Sequence, residues 1–121
     1  MIARCLASCV MMGALLAAIP AEAKPFSGAC YTVHGRLTQT NGTPSLRIWK
    51  IGTRHKLGVF DCTGKDESAK ALPGNVKVIA GTFAQAQVTG DFLVCPLRTE
   101  RLGEMQPVCI RKATHLVRGA P

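Results

Sequence analysis

The chain has 121 residues, with 15 Lys and Arg against 7 Asp and Glu, a net charge of +8 at neutral pH. This is one domain by size, able to bury a single modest core. So basic a balance favours anionic partners: an acidic envelope glycan or lipid such as lipid A, anionic phospholipid, an envelope protein, or, ranked lower, nucleic acid.

Met1–Arg4 carries one positive charge, Cys5–Ile19 has no charged side chain, and Pro20 precedes Ala21-Glu22-Ala23, an A-x-A cleavage pattern. These are the parts of a secretory signal peptide over residues 1–23, which puts the mature protein, residues 24–121, in the periplasm or outside the cell. The uncharged run is shorter than the roughly 20 residues of a membrane-crossing helix, which argues against an anchor. Leu6-Ala7-Ser8-Cys9 has the look of a lipoprotein box, but it leaves too few apolar residues ahead of the cut. Loss of Arg4 and Glu22 leaves the charge at +8.

Lys24 to Gly28 reads as a frayed lead-in. From Tyr31, the residues Tyr31, Val33, Gly35 and Leu37 alternate with Thr32, His34, Arg36 and Thr38, the period of a half-buried strand. Asn41-Gly42 is a strong turn signal, and Asn41-Gly42-Thr43 also fits the N-glycosylation acceptor pattern. A second strand is expected over Ser45–Ile51, and after Gly52-Thr53 a third over His55–Phe60. Asp66–Leu72 reads as two turns of helix with Asp66 as its cap, stopped by Pro73-Gly74-Asn75. Val76–Phe83 is rich in β-branched residues and reads as a fourth strand. Ala84–Gln87 is open between a loop and a helical turn. Val88–Leu97 is a further strand, Arg98–Glu104 a charged loop, and Met105–Lys112 the closing strand, with Pro107 marking an edge or a bulge. The tail Ala113–Pro121 adds at most a short edge segment.

Cys5 and Cys9 leave with the signal, so Cys30, Cys62, Cys95 and Cys109 remain, an even number that reads as two disulfides. Three pairings are open. Cys95–Cys109 with Cys30–Cys62 is favoured, because it staples the last hairpin and ties the first strand to the third. The cysteine and histidine spacings match no zinc motif, and no metal or cofactor is expected.

Three strands, a short helix and then the remaining strands resemble the order of the five-stranded OB barrel. The expected class is mainly β, a small antiparallel barrel or sandwich with one short helix, stapled by disulfides. The segments YTVHGRL, NGTPSLRIWKIGT, GDFLVCP and MQPVC resemble a group of small exported proteins of Gram-negative bacteria. That resemblance implies export and disulfides and transfers no functional residue.

His34, His55 and His115 come without a nucleophile motif and read as surface or structural groups. No catalytic residue is assigned, and a small hydrolase ranks last. The denser signal is Arg36, Arg47, Trp49, Lys50, Arg54, His55 and Lys56. On an OB-like surface, cations of this kind track an anionic backbone and an aromatic ring stacks on the ligand. Whether the single Trp is core or contact is left open by the pattern. The first reading is an exported non-catalytic binding module with a basic β-surface. The alternative is a protein-interaction or inhibitor-like module centred on Trp49 or the Arg98–Glu104 loop.

Overall fold

The computed structural model describes residues 26–81 and 87–119. The expected signal peptide, residues 1–23, and most of the segment 84–87 lie outside the described residues. Five strands and two helices follow in the order β1 (Tyr31–Gln39), β2 (Leu46–Lys50), β3 (Lys56–Val59), α1 (Ser68–Ala71), α2 (Gly74–Ala80), β4 (Gln87–Pro96) and β5 (Gln106–Gly119).

The strands close into a barrel in the order β1-β2-β3-β5-β4. All neighbours are antiparallel except β3 and β5, which run parallel from Leu57↔Gln106 to Val59↔Val108. With helices between β3 and β4, this is an OB-like barrel, as the order of elements in the sequence suggested. Alternation decides which side chains fill it. Val33 and Leu37 of β1, Leu46 and Ile48 of β2, Leu57 and Val59 of β3, and Val88, Phe92 and Val94 of β4 are buried, and Val108 and Ile110 of β5 join them. Gly35 keeps β1 close to β2, because a Cβ there would collide with Ile48 Cγ2 and lie 2.8 Å from the Trp49 carbonyl oxygen.

Several expectations give way. Over the described part of the segment expected as a fourth strand, Gly74–Ala80 forms α2 instead. Val76, Ile79 and Ala80 recur at helical spacing and lie against the core, while Val78 is 83% exposed. Asn75 Nδ2 ties this helix to β5 by donating to Ala113 O at 2.7 Å. The preceding helix is one turn, Ser68–Ala71, entered through Glu67. Asp66 does not cap it, because its Oδ1 is taken by the Ser45 backbone N–H across the barrel end. The closing strand does not stop at Lys112 but runs on to Gly119, kept in register with β4 through two irregularities.

The disulfides are Cys30–Cys95 and Cys62–Cys109, not the favoured pairing. Cys95 does face Cys109 across the β4–β5 ladder, as a terminal hairpin requires. Two residues further along that ladder, Leu97 N–H donates to Pro107 O, so Cys95 and Cys109 are a hydrogen-bonded pair with the wider Cα spacing. On its other side Cys95 meets Cys30, just before β1, with Cα atoms 4.1 Å apart. The shorter gap is bridged. Cys62 then takes Cys109, and the loop that presents it is held by Asp61, which is 5% exposed. Asp61 Oδ1 accepts from Thr63 Oγ1 at 2.6 Å and from the Thr63 and Lys65 backbone N–H groups at 2.9 Å. The Thr63 hydroxyl first, and then the Lys65 N–H, hold its carboxyl below the usual Asp range. Two disulfides belong to a protein that matures in an oxidising compartment.

Candidate functional site

The outward positions of β1, β2 and β3 bring three residues into one row. Arg36 lies opposite Trp49 and Trp49 opposite Lys56. Their chain neighbours Gly35, Leu37, Ile48 and Leu57 are buried, so the row faces out of the barrel. Trp49 is half-buried and is no part of the core, which decides the alternative that the sequence left open. Its Nε1–H donates to Thr53 O at 2.7 Å, which fixes the indole over the β2–β3 turn. The Arg36 guanidinium sits 5.5 Å from the ring centroid, within cation–π range.

The turn itself is tightly bonded. Thr53 Oγ1 donates to Lys50 O at 2.7 Å and accepts from His55 N–H at 3.0 Å, and Gly52 takes the positive φ of 86° that the reversal needs. Arg54, His55 and Lys56 are therefore displayed, exposed, on a rigid turn beside Trp49. Arg47 lies on the same outer face of β2, but its Nε donates to Pro44 O at 3.2 Å, so it also braces the β1–β2 loop.

Lys50 does not join this face. It has the inward parity of β2 and emerges at the end of the barrel, with Nζ 5.6 Å from the Tyr31 ring. There it shares a pocket of about 270 Å³ with Tyr31, His55, Lys56, Glu100 and Glu104. Burial first, and then the Glu100 charge, push the Tyr31 phenol upward, and its hydroxyl donates to Gln106 Oε1 at 2.8 Å. Among the described residues, none of the seven expected ligand-binding residues takes part in an ion pair with Asp or Glu. The Arg36, Arg47 and Arg54 charges are thus not taken up by an internal carboxylate.

One cluster went unrecognised in the sequence. His34 of β1 and His115 of β5 both reach Asp91 of β4, at 2.8 Å and 3.0 Å. The His34 contact, assisted by His115, keeps the Asp91 carboxyl below its ordinary value. His34 and His115 were read only as surface or structural groups. Their meeting is set by the register His34↔Asp91, which no local pattern encodes. Among the described residues, no three His, Cys, Asp or Glu side chains are arranged to hold a metal ion, and no helix is long and apolar enough to cross a membrane.

No protein-family model, no curated protein and no solved structure matches the chain, so its function is argued from its own residues.

Proposed function

We propose that the protein is a non-catalytic binding module, exported to the periplasm or beyond, that holds an acidic glycan of the cell envelope along the outer face of β1, β2 and β3. The observation that carries this reading is Trp49. A large ring is kept out of the core, fixed by its own N–H, and flanked across the ladder by Arg36 and Lys56. Burying that ring would be worth up to about 3 kcal/mol, so leaving it partly open points to use by a ligand. Rings stack on bases or sugars while cations meet their acidic groups, and OB barrels bind oligonucleotides and oligosaccharides on their strand 2–3 face. Arg54 extends the positive charge beyond the row.

Because Trp49 is the only Trp, its emission reports on this surface alone. Titrating the oxidised mature chain with dextran sulfate should shift that emission, with an affinity that falls steeply as salt is raised, since counterion release drives such binding. An unchanged emission at saturating polymer would sink the proposal, and a response to single-stranded oligonucleotide alone would move the ligand class to nucleic acid.

A protein partner is the second reading. Leu102 is fully exposed in the Arg98–Glu104 loop, on the opposite side of the end pocket from the Arg54–Lys56 turn. A partner seated there would be retained at ~0.5 M salt, because apolar contacts are little screened.

A further inference from the structure

The pocket at the end of the barrel breaks the charge pattern of the surface beside it. It holds about 270 Å³ between the β2–β3 turn and the Arg98–Glu104 loop. Lys50 and Lys56 line it from β2 and β3, and Glu100 and Glu104 from the loop, so these four charges cancel in a chain of net charge +8. A second hollow of about 400 Å³ shares His55, Lys56 and Glu104 with it. Lys56 is also the last member of the row that holds Arg36 and Trp49. A ligand lying along that row therefore meets the pocket at its Lys56 edge.

Opposite charges gathered around so small a space would ordinarily pair. Among the described residues, neither lysine is in ion-pair contact with either carboxylate. Two of the groups are held elsewhere. Lys50 Nζ sits over the Tyr31 ring, 5.6 Å from its centroid, in cation–π range. Glu104 Oε1 lies 3.3 Å from Arg98 Nη2. Tyr31 Oη donates its proton to Gln106 Oε1 at 2.8 Å, which leaves the phenol oxygen able to accept. Glu100 makes no ion pair among the described residues, and its charge reaches the Tyr31 phenol. The pocket thus keeps its acceptors, Glu100 and Tyr31 Oη, apart from its donors, Lys50 and Lys56.

That separation defines the ligand. A plain polyanion gains at the two lysines and is repelled by Glu100. A group that carries both signs gains at each end, and its ammonium makes charge-assisted hydrogen bonds to carboxylate and phenol oxygens. The volume lies just below the roughly 300–1,000 Å³ of small-molecule sites, which suits one sugar residue and not a length of chain.

We propose that this end pocket receives the terminal residue of the glycan, an amino sugar with an acidic substituent, whose ammonium meets Glu100 and the Tyr31 hydroxyl and whose acid meets Lys50 and Lys56. The pocket rests on the glycan-binding reading and deepens it, since it names the unit in which the ligand ends. It also supplies a selectivity that a basic face, open to any polyanion, does not have.

The test compares glucosamine 6-sulfate with N-acetylglucosamine 6-sulfate on the oxidised mature chain by amide NMR shifts. At about pH 6.5 such an amine is charged. The two sugars share the sulfate and differ only at nitrogen. The free amine should bind about tenfold to hundredfold more tightly, the cost of losing hydrogen bonds to a charged group, and should move Tyr31 and Gln106 first. Glu100→Gln should erase that preference, and Lys50→Gln should weaken both sugars alike. A native Trp49 emission shows that each variant is folded. Equal affinities, shifts confined to other residues, or a preference that survives Glu100→Gln would overturn the pocket. Dextran sulfate has no amine, so its shift of the Trp49 emission reports on the row separately. With that shift present, failure of the sugars removes the pocket alone. With that shift absent and neither sugar bound, both readings fall.

Discussion

Replacing Cys62 and Cys109 together by Ala removes one of the two covalent ties, and its cost can be worked from the chain path. The partners are 47 residues apart. On the chain-entropy account a loop of that length constrains the unfolded chain by about 4 kcal/mol at 25 °C. Cys30–Cys95 already ties the same chain, which roughly halves the effective loop, and each halving removes about 0.6 kcal/mol. The expected loss is therefore about 3.5 kcal/mol, a large part of a domain stability of ~5–15 kcal/mol. It should lower the melting temperature by roughly 15–25 °C while leaving a folded protein. Urea unfolding of native and variant chains, without reductant, measures it. The pairing is checked by tryptic mapping of the native chain without reduction. Cleavage after Arg98 and Arg101 separates Cys95 from Cys109, so residues 57–65 should be found linked to residues 102–111. A link between the Cys95 and Cys109 peptides, or a loss below about 1 kcal/mol, would refute the reasoning.

Other expectations follow from single sites. Gly35→Ala forces a methyl against Ile48 and the Trp49 carbonyl, so it should cost about 1–3 kcal/mol in urea unfolding and shift the Trp49 emission. If stability and emission both match the native chain, the close approach of β1 and β2 is wrong. Val76→Ala should cost about 2 kcal/mol and the exposed Val78→Ala less than about 0.5, a contrast that a strand over these residues would abolish, since it would put both on one face. Asp61 has its carboxyl held low in the folded state, so its contribution is present above the unfolded value of about 3.9 and is lost as the pH falls through the folded one. Asp61→Asn should accordingly melt lower than the native chain at pH 7, with the gap closing below about pH 4. A gap that stays constant on acidification would show that the charge contributes nothing.

The parts of this fold that were legible are those written in local alternation. Tyr31–Leu37, Leu46–Ile48 and Val88–Val94 each bury every second residue, so their strands follow from the pattern, and the order of elements then carries the barrel. The helix over Gly74–Ala80 was misread because its β-branched content is high, although Val76, Ile79 and Ala80 already hold a helical spacing behind Pro73. Tertiary packing overrides such propensity. The disulfides depend on which of two ladders brings Cys95 nearer to a partner, and that parity has no trace in residue spacing. The site was legible only in part. Arg36, Trp49 and Lys56 were found because strand neighbours on three consecutive strands stay close in the sequence. Lys50, expected with them, has the inward parity of β2 and emerges at the barrel end, beside His55 and Lys56 rather than in the row. His115 joins His34 and Asp91 only through an extra residue in β5.

The central claim is that the Arg36–Trp49–Lys56 row is the ligand surface, and amide and indole NMR shifts of the oxidised mature chain, recorded during a dextran sulfate titration, test it most directly. The predicted result is that the Trp49 indole N–H and the amides of Arg36, Trp49 and His55–Lys56 move first and furthest, and that Trp49→Ala weakens binding about tenfold to hundredfold. Shifts confined to the Arg98–Glu104 loop, or no shifts at saturating polymer, would contradict it.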